Sequence, residues 1–189
     1  MQIGKVSEEE LVELLQHENT KEKGFRILVL QYQERLYWHV RRIVKTHENT
    51  DDVVQNVFIK TYKNIDKFKG DSKLYTWLYR IATNESLTFL KQQQRHKTET
   101  IDNPDFNLSE RLTAESEIEG KTIQNILQKA IEQLPEKQKL VFNMRYFEEL
   151  SYRAISDILG TSEGALKASY HHASKKIEGF VKHYAALNG

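Results

Sequence analysis

The sequence predicts an all-α protein: two small helical domains joined by a flexible acidic linker, the second carrying a helix-turn-helix. Three observations predict it. Apolar residues recur at three- and four-residue intervals through most of the chain, and no segment alternates with a strand's period. The 189 residues include only 2 Pro and 8 Gly among stretches rich in Glu, Lys, Gln and Leu, a composition that favours helix. Residues 98–119, TETIDNPDFNLSERLTAESEIE, turn acidic, hold one of the two prolines and lose the apolar period, as a linker does.

The first element is a short helix from Ser7 to His17, with Ser7 and Glu10 at capping-box spacing and Leu11, Val12, Leu14 and Leu15 on its apolar side. The second runs from about Lys23 to Thr46 on Phe25, Leu28, Tyr32, Leu36, Val40, Ile43 and Val44. The segment HENTDD then breaks the pattern and starts a third helix, with Val53, Val54, Val57, Phe58 and Ile65 inward and Asp51 and Asp52 complementing the dipole at its start. A loop, KFKGDSK, leads into a fourth helix from Leu74 to about Gln94, in which Trp77 and Ile81, four apart, are expected in the core. Beyond the linker, helices are expected at roughly 121–133, 136–147, 151–159 and 162–183. Leu134 closes the first of these, and Pro135 opens the next.

The tract from Leu150 to Ile177 has the grammar of a DNA-reading helix-turn-helix. Ser151 caps one helix, Gly160 ends it, and Thr161 caps a second, whose inner side is Leu166, Ala173 and Ile177. The outer side carries Lys167, Ser169, His171, His172, Lys175 and Lys176, a hydrogen-bonding and positive surface suited to base edges and phosphates. An amphipathic hairpin with a basic face also occurs in proteins that never touch DNA, so this segment alone leaves both readings open.

The totals narrow the class. The absence of cysteine excludes disulfides, thiolate zinc sites and thiol catalysis. No window reaches membrane-spanning length, and the start, MQIGKVSEEE, turns acidic where a secretory signal turns apolar, so no membrane insertion and a cytoplasmic location are expected. A net charge of +1 suits a nucleic-acid binder only if the charges are segregated along the chain, and they are. The adjacent His171 and His172 point about 100° apart on a helix and lack the i, i+4 spacing of a zinc pair; the other histidines are scattered. No glycine-rich phosphate loop and no nucleophile, base and orienter set is visible, so neither a cofactor nor an enzymatic activity is expected.

Two longer tracts carry a specific resemblance. DDVVQNVFIKTYKNIDKFKGDSKLYTWLYRIATNESLTFLKQQQR, Asp51 to Arg95, and LPEKQKLVFNMRYFEELSYRAISDILGTSEGALKASYHHASKKI, Leu134 to Ile177, together resemble the two domains of the extracytoplasmic-function (ECF) sigma factors of bacterial RNA polymerase. The resemblance implies that residues 1–97 form a region 2-like domain, 98–119 the linker and 120–189 a region 4-like domain. It implies core RNA polymerase and promoter DNA as partners, together with an anti-sigma factor. The helix that starts with acidic residues would dock on core polymerase through Asp51, Asp52, Gln55, Asn56, Ile59 and Tyr62. Phe68, Lys69, Gly70, Asp71, Ser72, Lys73, Tyr75, Arg80 and Asn84 would serve the melted minus-ten element, which needs aromatic or amide surfaces beside cations. The basic stretch from Lys91 to Lys97 fits a surface that tracks the DNA backbone.

For the minus-thirty-five element the resemblance implies Lys167, Ser169, Tyr170, His171 and His172 on the recognition helix, with Arg153, Thr161 and Ser162 holding phosphates. The sequence departs from the family there. Ala165 and Ala168 stand where Thr and Ser are usual, Ser169 where Arg is usual, and His171 and His172 where His and Arg are frequent. Fewer permanent cations imply a smaller salt dependence, and the base preference of better-known members does not transfer. In the linker, Asp102, Asp105, Glu110, Glu115, Glu117 and Glu119 would run toward the polymerase active-site and RNA-exit region, although a solvated tether explains the same composition. A stand-alone helix-turn-helix regulator is the competing class, predicting a dimer on a symmetric site; it leaves the first domain unexplained. A helical adaptor without a nucleic-acid role would show no salt-sensitive DNA binding.

Overall fold

The computed structural model describes residues 6–101 and 123–188. Among them are eight α-helices and no strand: α1 (Glu8–Gln16), α2 (Lys21–Val44), α3 (His47–Asn64), α4 (Leu74–Ile101), α5 (Ile123–Glu132), α6 (Glu136–Tyr146), α7 (Tyr152–Leu159) and α8 (Glu163–Asn188), with a short 3-10 turn, Ile65–Lys67, after α3. Helix α4 continues through residues 98–101, which the sequence assigns to the linker. The acidic linker residues Asp102 to Glu119 lie outside the described residues.

The local signals explain where most helices begin and end. At α1 the Ser7 hydroxyl accepts from the Glu10 amide at 3.1 Å while the Glu10 carboxylate accepts from the Ser7 amide at 3.2 Å, a complete capping box. Helix α2 stops at Lys45, whose φ of 75° turns the chain left-handed. Helix α3 starts at His47, earlier than the acidic pair suggests, so Asp51 and Asp52 sit more than a turn inside it. They decorate its flank, and Glu48 is the acid in its first turn. Pro135 occupies the cap of α6 with extended backbone instead of its first turn.

Helices α2, α3 and α4 pack around one apolar core, with α1 laid across α2. Leu11, Leu15, Leu28, Leu36, Val40, Val57, Leu74 and Leu78 are fully buried there, and Trp77 and Ile81 pack against this cluster as expected. Gly24 permits the approach of α1: a Cβ there would lie 2.9 Å from the Leu14 Cβ and 3.0 Å from backbone atoms of Leu14 and Leu15. In the second half, α5, α6 and α8 close over Ala130, Ile131, Leu134, Phe142, Ala173 and Ile177.

The two halves pack against each other. Helix α7 packs against α4 and α6 against α2, and the first core continues through Met144, Leu150, Ala154, Ile155 and Ile158 of the second half.

A buried polar string crosses this region. The Thr83 hydroxyl donates to the Tyr79 carbonyl at 2.7 Å, so it must accept from the His39 Nε2–H at 2.9 Å, which fixes the tautomer of a buried neutral imidazole. Burial, reinforced by the Arg42 guanidinium, pushes the His39 pKa down to about 3.

Two outcomes follow. Gly24→Ala gains helix propensity but forces α1 off α2, so urea unfolding should show a net loss of about 1–3 kcal/mol. The folded protein holds His39 neutral while the unfolded chain protonates near pH 6.5, so its share of stability is complete above that pH and declines as pH falls toward 3. Between pH 6.5 and 5 the slope should be about 1 kcal/mol per pH unit, and His39→Gln should flatten it in denaturant titrations.

Candidate nucleic-acid interfaces

The loop that precedes α4 is pinned at both ends by α1. The Gln16 side-chain amide donates to the Phe68 carbonyl at 3.0 Å, and the Glu8 carboxylate accepts from the Leu74 amide at 2.8 Å, capping α4 from another helix. Between these anchors Lys69, Gly70, Asp71 and Lys73 are exposed and Ser72 is half-buried. Gly70 has a φ of 77° with open space around it, so the loop turns there without crowding. Sequence reasoning missed Glu8 and Gln16, because their partners lie more than fifty residues away.

Phe68 departs from expectation. Its ring is only 6% exposed and packs 5.5 Å from Trp77, so it is a core residue that anchors the loop and offers no surface to a base. Tyr75 is half-buried against the same core, with the Lys73 ammonium 6.0 Å from its ring. Arg80 and Asn84 are exposed. On α4, Arg80, Asn84, Lys91 and Arg95, all exposed, fall within an arc of about 60° along roughly 22 Å of axis, with Lys73 in line at the entry. Together these exposed side chains give α4 a polar and cationic stripe.

In the second half the turn has the expected glycine. Gly160 sits at φ 64° and its amide donates to the Ser156 carbonyl at 2.8 Å, while the Ser151 hydroxyl caps α7 by accepting from the Ala154 amide at 3.1 Å. The cap of α8 falls one residue later than expected: the Ser162 hydroxyl accepts from the Ala165 amide, and Thr161 instead donates to the Leu159 carbonyl. Arg153, Thr161, Ser162, Lys167, His171 and His172 are all exposed. Successive 100° steps place Lys167, His171, Lys175 and His172 within an arc of about 140° opposite the buried Leu166, Ala173 and Ile177.

Two residues assigned to this face turn away from it. Tyr170 is half-buried, stacked on Phe142 at 5.6 Å and edge-on to Tyr152 at 6.4 Å, so its ring holds α8 to α6 and α7. Ser169 is half-buried beside it. Lys175 is exposed, but Glu178 binds it and Lys182 together. Those hydrogen bonds and charges, with Lys182 foremost, hold the Glu178 carboxyl down to about 2, while the Lys167 ammonium lies 5.7 Å from the Tyr152 ring.

A third surface lies on the far side of the first half. Asp51, Asp52, Gln55 and Phe58 of α3 and Val29, Gln33, Glu34 and Tyr37 of α2 line a shared groove. Ile59 and Tyr62 extend it at 44% and 37% exposure, with the Tyr62 ring set edge-on to Phe25 at 5.0 Å, and Asn56 is exposed alongside. On α2, Leu30 and Trp38 are also exposed, at 52% and 47%. Exposed apolar residues beside carboxylates have the make-up of a protein-contact surface. Its α2 half was not legible as such, because those residues share a helix with core positions.

Among the described residues no group of His, Cys, Asp and Glu could hold a metal ion, and no helix is long and apolar enough to cross a membrane.

Comparison with known proteins agrees with this geometry. The family model for Sigma-70 region 2 matches residues 28–96, and that for Sigma-70 region 4 matches residues 124–177. The "ECF RNA polymerase sigma-E factor" of Haemophilus influenzae is 32% identical over 185 residues, covering 94% of this chain and 96% of that protein. Its namesake in Escherichia coli K12 is 32% identical over 169 residues, covering 85% and 88%. Of solved structures, CnrH in complex with the cytosolic domain of CnrY has the same fold, with a TM-score of 0.66 at 19% identity over 91% of this chain and 95% of that one. So does the sigma factor RpoE in complex with the anti-sigma factor NepR from Bartonella quintana, with a TM-score of 0.66 at 22% identity over 85% and 98%.

The packing around α8 separates two kinds of substitution. Tyr170→Ala removes a stacked ring and should lower stability by about 3 kcal/mol in denaturant titration. Lys167→Ala and His171→Ala, on the solvent side, should each stay within about 0.5 kcal/mol of the parent.

Proposed function

The chain belongs to the ECF RNA polymerase sigma factors, and on that premise we propose how its surfaces divide the work of initiation. It is an alternative sigma factor that binds core RNA polymerase and directs transcription to specific promoters. The observation that carries this function is end-to-end similarity to named ECF sigma factors at 32% identity, with both sigma regions in order.

In our reading residues 1–97 form the region 2 unit, 98–119 the linker and 120–189 the region 4 unit. Core polymerase docks on the α2–α3 groove through Asp51, Asp52, Gln55, Asn56, Ile59 and Tyr62, with Glu34 and Tyr37 completing the contact. The carboxylates favour a basic partner surface, and the apolar residues supply the buried centre of the interface.

The pinned loop Lys69–Lys73 and the stripe formed by Arg80, Asn84, Lys91 and Arg95 take the melted minus-ten strand. Cations track its backbone, while Tyr75 and Asn84 meet unstacked bases. Lys167, His171 and His172 read the duplex minus-thirty-five element, and Arg153, Thr161 and Ser162 fix the register by holding phosphates. Gly164, Ala165 and Ala168 leave the start of α8 without bulk, which allows close approach to the groove floor.

We assign the chain no reaction of its own, no cofactor and no metal; the polymerase supplies the chemistry. It works in the cytoplasm, where its polymerase is, and an anti-sigma factor is its proposed regulator.

The test is transcription in vitro with sigma-free core polymerase on fragmented genomic DNA, sequencing RNA starts. New starts sharing two motifs at fixed spacing are expected only when the protein is present. No new starts, with tight binding of a dimer to a symmetric site, would favour the stand-alone regulator. Lys167→Ala and His172→Ala should each reduce initiation roughly tenfold, the loss of one good base contact, with polymerase binding intact. Reversing Asp51 and Asp52 to Lys should weaken polymerase binding and leave promoter-sequence preference unchanged.

A further inference from the structure

We infer that Glu148, held between Arg42 and Tyr79, is an intramolecular latch that keeps the free protein in a closed form unable to span a promoter. This rests on the reading that the two halves engage separate promoter elements. Glu148 lies in the turn between α6 and α7 and is 7% exposed. One carboxylate oxygen accepts from the Arg42 guanidinium of α2, and the other accepts from the Tyr79 hydroxyl of α4 at 2.8 Å. The Arg42 guanidinium also covers the Phe147 ring at 4.4 Å.

Backbone hydrogen bonds tie down the turn itself. Phe147 and Glu148 amides donate to the Asn143 carbonyl, the Leu150 amide donates to the Met144 carbonyl, and Glu149 takes a left-handed φ of 54°. The second half therefore presents a fixed carboxylate, and the first half supplies both of its partners. Apolar packing of α7 on α4 lies beside the group, and Glu148 is almost wholly buried while the Arg42 side chain remains 27% exposed.

This closed arrangement is too short for promoter DNA. The two elements lie about 25 base pairs apart, or roughly 85 Å along the duplex axis. Helix α7 touches both α4 and α8; at the usual spacing of about 10 Å between packed helix axes, α8 crosses within roughly 20 Å of α4. Even with helices about 40 Å long, the two reading faces fall short of that span. Binding both elements requires α7 to leave α4, and separation leaves Glu148, Arg42 and Tyr79 to water. A buried carboxylate with two dedicated partners makes this seam selective: the halves dock in one register, and loss of a single partner weakens the closed form out of proportion to the area involved.

The experiment exploits the absence of cysteine. Cysteines introduced at the exposed Glu22 and Gln133 carry spin labels on the full chain, and pulsed electron resonance reads their separation. The unmutated protein should give one narrow distance population. Arg42→Met and Glu148→Gln keep side-chain size and remove the charge pair, and each should shift the closed-to-open ratio roughly ten- to a hundredfold toward a broad, longer population. At sub-saturating protein, initiation with core polymerase should rise several-fold in both variants and converge with the parent at saturation.

Unchanged distances in both variants would overturn the latch, as would a broad distribution in the parent. Opening without a gain in initiation would overturn its inhibitory role. Failure of the parent itself to initiate would count against the sigma-factor reading, and the distances would still decide whether the latch holds the halves together. Circular dichroism melts of the same samples separate opening from unfolding: a variant whose helices melt at the parent's temperature has opened as intact halves.

Discussion

Helix α4 has to satisfy three neighbours at once, and the rest of the structure follows from how its circumference is divided. Helices α2 and α3 cover one side, and α7 covers another. The remaining arc carries Arg80, Asn84, Lys91 and Arg95. A helix buried on most of its surface is normally apolar nearly all round. Here an exposed arc of the helix is polar and cationic, and the loop feeding it is fixed at both ends by side chains from α1. The scaffold that stabilises the first half is thus the same object that orients the surface we propose for nucleic acid.

Burying so much of α4 also buries polar groups, and the molecule pairs most of them. His39, Thr83 and Tyr79 form a directional chain in which each donor has an acceptor, and Tyr79 passes its hydroxyl proton toward Glu148 in the other half. Burial and the nearby carboxylate push the Tyr79 pKa up, so the hydroxyl remains a donor. The string joins the core of the first half to the seam with the second. A folding contact and a conformational contact therefore share residues, which explains why α2, a helix with a core role, also bears Arg42.

The recognition helix shows the opposite economy. Its inner side is apolar and aromatic and its outer side carries few cations, one of them engaged by Glu178. In the proposed reading, a face of this kind draws less of its affinity from phosphate attraction and leaves more of the discrimination to Lys167, His171 and His172.

The sequence by itself determined the helices, most of their ends and the family. Ser7 with Glu10, Ser151 and Gly160 act within four residues of themselves, so their geometry is encoded locally, and the paired tracts carried the resemblance. Tertiary structure decided which side of each amphipathic segment faces inward when apolar residues exceed one face. It buried Phe68, turned Tyr170 into a packing residue and left Leu30 and Trp38 outside. It also decided the contacts between residues far apart in the chain: Glu8 and Gln16 on the loop before α4, and Glu148 between Arg42 and Tyr79. Such pairings have no periodic signature, because a lone carboxylate in a turn reads as solvated until the helices that flank it are brought together.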